Sequence, residues 1–148
     1  MDLKIRDMTR QDVPNVCDIQ IEAFGERTPN DFDHCIESDI YWYGVAELSG
    51  SIVAYFGTMI IGEECEVLTL AVDRLYRGRG IGKYVLAGVI AHAKRRGCKK
   101  IYLEVDENNT IAVSLYKKLG FKPRYVRKGY YEKAKGGKAD AIVMQLEL

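Results

Sequence analysis

The sequence contains few of the residues from which metal sites and disulfide frameworks are built. Only four of its 148 residues are cysteines and only two are histidines. The cysteines, at positions 17, 35, 65 and 98, form neither a CxxC pair nor a Cys/His ligand spacing, so no zinc or other metal site is expected. We expect reduced, partly buried thiols. We also expect a single domain, residues 1–148, that buries its core without the help of disulfide bonds or a metal ion.

Long apolar runs and an excess of charge of one sign are also missing. No apolar stretch approaches the length of a membrane span, and no apolar signal segment precedes the first strand-like pattern. The formal net charge of +1 argues against binding to nucleic acid or to a membrane surface through bulk electrostatics. We therefore expect a cytoplasmic protein with no nucleic-acid or membrane partner. Nothing in the sequence indicates an oligomeric state.

Strand-like and helix-like patterns are present along the whole chain, with no repeat or linker between them. The composition, 47% hydrophobic and 29% charged, is typical of an ordered globular protein. Alternating runs predict strands, and apolar residues at helical spacing predict helices. The pattern indicates an α+β or mixed α/β fold. The predicted strands are 4–8, 42–48, 51–60, 65–72, 101–105, 125–131 and 139–148, and the predicted helices begin near 13, 31, 81 and 111.

The most informative stretch runs from Leu70 to Gly82, where a strand, a glycine turn and a helix start follow one another. The segment RGRGIG at 77–82 has three glycines, and because glycine has no Cβ, backbone N–H groups there can approach a ligand closely. A helix that begins at this point adds unpaired N–H donors and a partial positive charge. The stretch therefore predicts an anion-binding site.

Spacing excludes two familiar phosphate-binding loops. A Walker loop needs glycine where Arg77 stands and a serine or threonine after Lys83, which is followed by Tyr84. A dinucleotide fingerprint that starts at Gly78 needs glycine at position 83. What remains is the pattern Arg-x-x-Gly-x-Gly at 77–82, between a strand and an amphipathic helix.

This pattern resembles the acetyl-CoA loop of the GCN5-related N-acetyltransferases (the GNAT family), Gln/Arg-x-x-Gly-x-Gly/Ala after a strand. Other elements follow in the family's order: IYLEV at 101–105, Asn109, SLYKKLGF at 114–121 and a closing hairpin. The resemblance covers nearly the whole chain and implies an acetyl-CoA-dependent N-acetyltransferase. It also implies the GNAT-like α+β fold, a mostly antiparallel mixed sheet of about seven strands flanked by about four helices.

The resemblance further implies how acetyl-CoA is held. Its pyrophosphate would accept hydrogen bonds from backbone N–H groups of the loop, and its pantetheine arm would pair with the strand before it. Asn109 would hold the arm from the opposite side; the competing interpretation is an ordinary helix cap. The implied cofactor-binding residues are Leu70, Ala71, Val72, Arg77, Gly78, Arg79, Gly80, Ile81, Gly82, Lys83 and Asn109.

Two side chains fit the chemistry of acetyl transfer to an amine. Strand alternation directs Glu104 away from Ile101, Leu103 and Val105, so it could act as general base, directly or through water; the alternative is a solvent-facing carboxylate. Tyr116 corresponds to the tyrosine with which the family protonates the coenzyme A thiolate, and the alternative is a packing tyrosine. Oxyanion stabilisation would come from backbone N–H groups of the strand that ends at residue 72, at a bulge if one is present.

Within the family, the sequence is most similar to the RimI-type N-terminal acetyltransferases of ribosomal proteins. The segments that carry this similarity are YLEV at 102–105, RKGYY at 127–131 and DAIVM at 140–144. It implies that Tyr130 and Tyr131 clamp the substrate backbone and that the acceptor is a protein N-terminal peptide, such as that of a ribosomal protein. At pH 7 an α-amine is neutral about a few hundredfold more often than a lysine, which suits a single carboxylate base.

Two alternatives remain open at this stage. One is a small-molecule N-acetyltransferase that acts on a polyamine, an amino acid or an antibiotic. The other is a non-catalytic acyl-CoA-binding regulator, which should lack the acid and the base. The two kinds of enzyme would differ in the rims of the acceptor cleft, which we expect at Phe24 to Trp42 and at Glu132 to Lys138.

Overall fold

One seven-stranded sheet runs through the chain, and the computed structural model describes residues 2–25, 32–132 and 138–148. The predicted α+β fold, with seven strands and four helices, is confirmed. None of the helices in the described residues is long and apolar enough to cross a membrane. The strands are β1 (Leu3–Asp7), β2 (Tyr41–Leu48), β3 (Ser51–Ile61), β4 (Glu64–Val72), β5 (Lys100–Asp106), β6 (Lys122–Glu132) and β7 (Lys138–Glu147). The helices are α1 (Val13–Phe24), α2 (Phe32–Glu37), α3 (Ile81–Arg95) and α4 (Thr110–Lys118).

The strand order in the sheet is β1-β2-β3-β4-β5-β7-β6. All neighbouring strands are antiparallel except β4 and β5, which are parallel and connected through α3. The closing hairpin is antiparallel as predicted, but β7 lies inside it, between β5 and β6. As a result, β5 has the parallel β4 on one side and β7 on the other.

The two faces of the sheet have separate apolar cores. On one face, α3 buries the stripe predicted from its helical spacing, including Val85, Leu86 and Val89, and α4 packs beside it. On the other face, α1 and α2 pack against buried side chains of β2, β3 and β4 such as Tyr43 and Tyr55. Every β4 or β5 side chain therefore faces either the α3/α4 core or the α1/α2 side.

A network around the buried Asp12 joins β1 to the start of α1. A short 3₁₀ helix, Arg10–Asp12, precedes α1. The Asp12 carboxylate accepts hydrogen bonds from both terminal guanidinium nitrogens of Arg6, at 2.7 and 2.8 Å, and from the backbone N–H of Thr9 at 2.7 Å. Arg6 also donates to Glu47 on β2. The hydrogen bonds from Arg6 lower the pKa of Asp12 to about 2, against the opposing effect of burial.

The depressed pKa of Asp12 predicts an acid-sensitive contribution to stability. Because the folded pKa lies below the unfolded value, the contribution is complete above about pH 4 and is lost as the pH falls towards 2. We expect Asp12→Asn to lower the free energy of unfolding by about 2 kcal/mol at pH 7, with the difference from wild type shrinking below pH 4.

Urea unfolding of both proteins between pH 7 and pH 3 measures this difference. Asp39→Asn, at an exposed site before β2, is the matched control and should behave as wild type at every pH. A deficit of the Asp12 variant that stays constant down to pH 3 would contradict the assignment.

Candidate active site

Strands β4 and β5 pair over only part of their length and then separate. Their parallel register runs from Glu64–Lys100 to Val67–Leu103, although β4 continues to Val72 and β5 to Asp106. On its other edge, β4 stays paired with β3 as far as Val72. A gap therefore opens between β4 and β5 beside the last residues of each strand.

A β-bulge in β4 lies where this separation begins. Thr58 of β3 faces Val67 and Gly57 faces Thr69, so Leu68 is an extra residue without a partner across the ladder. The bulge lies just upstream of residues 70–72, whose backbone N–H groups are predicted to stabilise the oxyanion. Leu68 is 42% exposed, which is high for an apolar side chain in the middle of a strand.

The backbone of β4 beyond the bulge presents hydrogen-bonding groups to the gap. The N–H of Asp73 donates to the carbonyl of Val53 on β3. Because successive strand residues direct their N–H and C=O groups to opposite edges, Val72 and Leu70 direct theirs away from β3. In the part of the chain that the structure describes, no strand pairs with Leu70 or Val72 on that edge. Their N–H groups therefore point into the gap without a strand partner in the described residues, and their role in binding stays a prediction.

The glycine turn ends in a helix N-terminus with free donors. Gly78 and Gly80 have φ of 78° and 80°, a left-handed conformation that favours glycine, and Gly80 is the residue before the first turn of α3. Within the described residues, no side chain caps this terminus, and its first turn has no acidic residue. The N–H groups of the first turn can therefore bind an anion.

Gly82 leaves an open space above this turn. Its backbone is not left-handed, and a Cβ at this position would meet only methyl groups of Leu115 and Val72, each at 3.8 Å. The fold itself therefore does not require glycine here. The missing side chain leaves room for a ligand to approach the backbone of α3.

Arg77 fixes the outer side of the turn. Its Nε donates to the carbonyl of Val72 at 3.1 Å, and its terminal nitrogens donate to the Glu22 carboxylate of α1 at 2.5 and 3.3 Å. The predicted cofactor residue thus uses its side chain to bind protein groups. Two further cations, Arg79 and the exposed Lys83, flank the turn. The Arg79 guanidinium lies 5.2 Å from the ring centre of Tyr76.

Glu104 lies on β5 beyond the last residue that pairs with β4. Ile101, Leu103 and Val105 are buried in the α3/α4 core, whereas Glu104 has the opposite orientation, as predicted. Its Oε1 accepts a hydrogen bond from Nη1 of Arg127 on β6 at 2.5 Å. The Glu104 side chain is 21% exposed, so it is neither a freely solvated carboxylate nor a fully buried one.

Tyr116 lies on α4, on the other face of the sheet. It packs against the α3/α4 core, with its ring centre 6.0 Å from that of Phe121. Burial raises the pKa of Tyr116 above its ordinary value. Leu115, the residue before it, lies next to Gly82 and Val72. Glu104 and Tyr116 therefore lie on opposite faces of the sheet.

Asn109 caps α4. Its Oδ1 accepts a hydrogen bond from the N–H of Ala112 at 3.1 Å. The structure therefore shows Asn109 as an ordinary helix cap, which was the alternative to pantetheine binding. The cap uses the side-chain oxygen and not the amide nitrogen. Binding of a pantetheine arm by Asn109 therefore stays a prediction that would depend on its NH₂ group.

Comparison with known proteins identifies the family. The model of the acetyltransferase (GNAT) family matches residues 9–121. The chain belongs to the GNAT family. It is accordingly an acyltransferase of the N-acetyltransferase type, as the resemblance of the glycine turn and the segments after it implied.

Similar proteins extend along the whole length of this GNAT chain. A Bacillus subtilis protein, provisionally named a ribosomal protein bS18-alanine N-acetyltransferase, is 30% identical over 142 residues, which are 95% of this chain and 92% of that protein. The crystal structure of the ribosomal-protein-S18-alanine N-acetyltransferase from Escherichia coli covers 98% of this chain and 93% of its own, with a TM-score of 0.90 and 27% identity. A GNAT family acetyltransferase from Elizabethkingia anophelis with acetyl-CoA bound covers 99% of both chains, with a TM-score of 0.82 and 22% identity.

The predicted acceptor side of the site is only partly described. Tyr130 and Tyr131 belong to β6, but their side chains lie outside the described part of the structure. Residues 26–31 of one predicted rim and residues 133–137 of the other also lie outside the described part of the structure. The predicted clamp and rims thus stay predictions.

Three charged residues of this region were not predicted from the sequence: Glu22, Glu66 and, as the ion-pair partner of Glu104, Arg127. Glu66 lies on β4 with the same orientation as Glu104, because its neighbours Cys65 and Val67 are in the α3/α4 core. The alternation along β4 was a signal that could have found it. The partners of Glu22 and Arg127 are distant in sequence, and local patterns contain no signal for them.

The open space at Gly82 gives a test of the anion site. We expect Gly82→Val to raise the dissociation constant of coenzyme A at least about tenfold, because the side chain tilts towards the helix N-terminus and covers its N–H donors. The fold should persist, since a Cβ makes only ordinary contacts. Calorimetric titration with coenzyme A and thermal unfolding measure the two effects. Ala87→Val, at an exposed site of α3, is the matched control; unchanged binding in the Gly82 variant would disprove the site.

Proposed function

We propose that this chain transfers the acetyl group of acetyl-CoA to the α-amine of a protein N-terminus, and that the acceptor is a ribosomal protein. The observation that carries the proposal is the separation of β4 from β5, with Glu104 on β5 just beyond the last paired residue and Tyr116 in the core on the other face of the sheet. Support for the acceptor comes from the name of the Escherichia coli enzyme, whose structure overlays nearly the whole chain.

The cofactor would lie against β4 and the glycine turn. When bound, acetyl-CoA supplies an acetyl group activated as a thioester. The first turn of α3 would bind the pyrophosphate through its backbone N–H groups, with Gly82 leaving room for it. Leu70 and Val72 would pair with the pantetheine arm along their free edge, and their N–H groups would stabilise the carbonyl oxygen as it gains negative charge.

Glu104 would remove the proton from the attacking amine. An α-ammonium group has a reference pKa of about 7.7 to 8.0, so a carboxylate at the gap can deprotonate it at neutral pH far more easily than it can deprotonate a lysine, with a pKa of about 10.4. The proton passes from the amine nitrogen to a Glu104 oxygen, directly or through water, and from there to solvent.

Tyr116 would return a proton on the other side of the gap. A thiol has a reference pKa of about 8.5 and a phenol one of about 10. Because burial raises the pKa of Tyr116 further, its hydroxyl stays protonated at neutral and mildly alkaline pH. It can therefore protonate the departing thiolate sulfur and regain its own proton from solvent.

Substitution of the two residues tests their roles separately from cofactor binding. We expect Glu104→Gln and Tyr116→Phe each to lower kcat by about a hundredfold or more, while the dissociation constant of coenzyme A changes little. The reason is that each variant nearly keeps the shape of its side chain and cannot transfer the proton, although Glu104→Gln also loses the charge that pairs with Arg127. Glu107→Gln and Tyr125→Phe, both at exposed positions, are the matched controls. Wild-type rates in both site variants would rule out the acid and base assignments.

A panel of acceptors tests the substrate class. The panel contains peptides with different first residues, including the N-terminal peptide of ribosomal protein bS18, together with spermidine and free lysine. We expect acetylation of an α-amine in peptides and no acetylation of spermidine. Transfer to spermidine or lysine without transfer to any peptide would replace the proposal with the small-molecule alternative.

A further inference from the structure

The carboxylate of Glu104 lies between side chains of opposite charge that two other strands contribute. Arg127, on β6, donates from Nη1 to Oε1 of Glu104 at 2.5 Å. Glu66, on β4, faces the same side of the sheet as Glu104. The predicted base is therefore part of a group of three charges, Glu66, Glu104 and Arg127, with a sum of −1.

The ion pair with Arg127 crosses a whole strand. Glu104 faces Val143 of β7, and Arg127 faces Ala141 of the same strand, so the Arg127 side chain passes over β7 to reach β5. The two side chains differ in exposure, with 46% for Arg127 and 21% for Glu104. An arginine that covers this distance and ends on the less exposed carboxylate holds that carboxylate in one orientation through a charge-assisted hydrogen bond.

Glu66 acts on the same carboxylate with the opposite sign. In the parallel register Glu66 faces Tyr102, which places it diagonally to Glu104, two residues further along β5. Burial raises the pKa of Glu66, the charge of Glu104 raises it further, and Arg127 opposes both. The charges of Glu66 and Glu104 therefore repel each other across the β4–β5 boundary.

Three strands contribute the neighbouring side chains on this face in the described part of the chain. β7 contributes Ala141, Val143 and Gln145, which have no titratable group. In addition to Arg127, β6 contributes Lys122 and Tyr125, by their register with β7. On β5 itself the same orientation is shared by Tyr102 and Asp106.

We propose that Arg127 and Glu66 are positioning residues for Glu104. Arg127 orients the carboxylate, and the two residues affect its charge in opposite directions. This rests on the proposed function, in which Glu104 is the base. Arg127 aims the carboxylate and favours its charged form. Glu66 disfavours that charge, so the proton of the amine is accepted more readily when Glu66 is ionised. Neither residue exchanges a proton with the substrate, so each acts through Glu104.

The pH dependence of kcat/KM for peptide acetylation distinguishes the two effects. In Arg127→Gln, the acidic limb should move to higher pH by about one unit, because the cation that favours the charged base is gone. In Glu66→Gln, the limb should move to lower pH by about half a unit or more, because the repelling carboxylate is gone. Arg127→Lys keeps the cation and should restore most of the wild-type profile.

Two matched controls remove the same charges from the same strands. Arg124→Gln on β6 and Glu64→Gln on β4 are exposed and should leave the profile unchanged. If Arg127→Gln fails to fold by circular dichroism, Arg127→Met replaces it in the same measurement. A purely structural role of either residue would lower the rate at every pH without moving the limb.

A readout independent of turnover separates failure of this inference from failure of the proposed function. Carbon-13 NMR of labelled glutamate carboxyls follows the titration of Glu104 directly, and the two variants should displace that titration in opposite directions. The inference is overturned if neither variant moves the Glu104 titration or the acidic limb, or if both variants move them in the same direction. This holds even if Glu104→Gln is inactive. An active Glu104→Gln variant would instead overturn the assignment of the base itself.

Discussion

The separation of β4 from β5 after Val67 and Leu103 is the constraint on which the candidate site depends. A parallel strand inside a sheet normally has both edges paired, and unpaired backbone groups need a partner. Here one edge of β4 keeps free N–H groups at Leu70 and Val72, next to a glycine turn and a helix N-terminus that also have free donors. In the described residues the site thus has backbone donors on β4 and at the first turn of α3, which suits a long ligand with an anionic end and an amide-containing arm.

The bulge at Leu68 connects this backbone geometry to the packing. Before it, Cys65 and Val67 are buried in the α3/α4 core; after it, Leu70 and Val72 pack against that same core, whereas Ala71 faces the α1/α2 side. If the same residues alternated strictly, without a bulge, Leu70 and Val72 would lie on the opposite face. The bulge therefore lets one strand change its pairing and still contribute apolar side chains to the same core on both sides of the break.

Local patterns predicted the elements and several site residues, because those depend on neighbours in sequence. The alternation around Glu104, the glycine spacing at 77–82 and the two possible roles of Asn109 are all properties of short segments. The ion pairs Arg77–Glu22 and Arg127–Glu104 join residues far apart in the chain. Both depend on which elements become neighbours, and the insertion of β7 between β5 and β6 is a property of the whole sheet. Hydrophobic periodicity contains no information about that order.

The ion pair of Arg77 shows how the turn can be held in place and still leave its donors free. With side-chain exposures of 45% for Arg77 and 36% for Glu22, the pair is largely solvated, and such pairs contribute about 0–1 kcal/mol to stability. The ion pair therefore serves mainly to hold the turn in position. By binding the Val72 carbonyl and α1 at once, Arg77 connects the end of β4, the turn and a helix on the opposite face of the sheet. The chain fixes the outer side of the turn with a side chain and leaves the inner side to backbone donors, so little conformational entropy has to be lost when an anion binds.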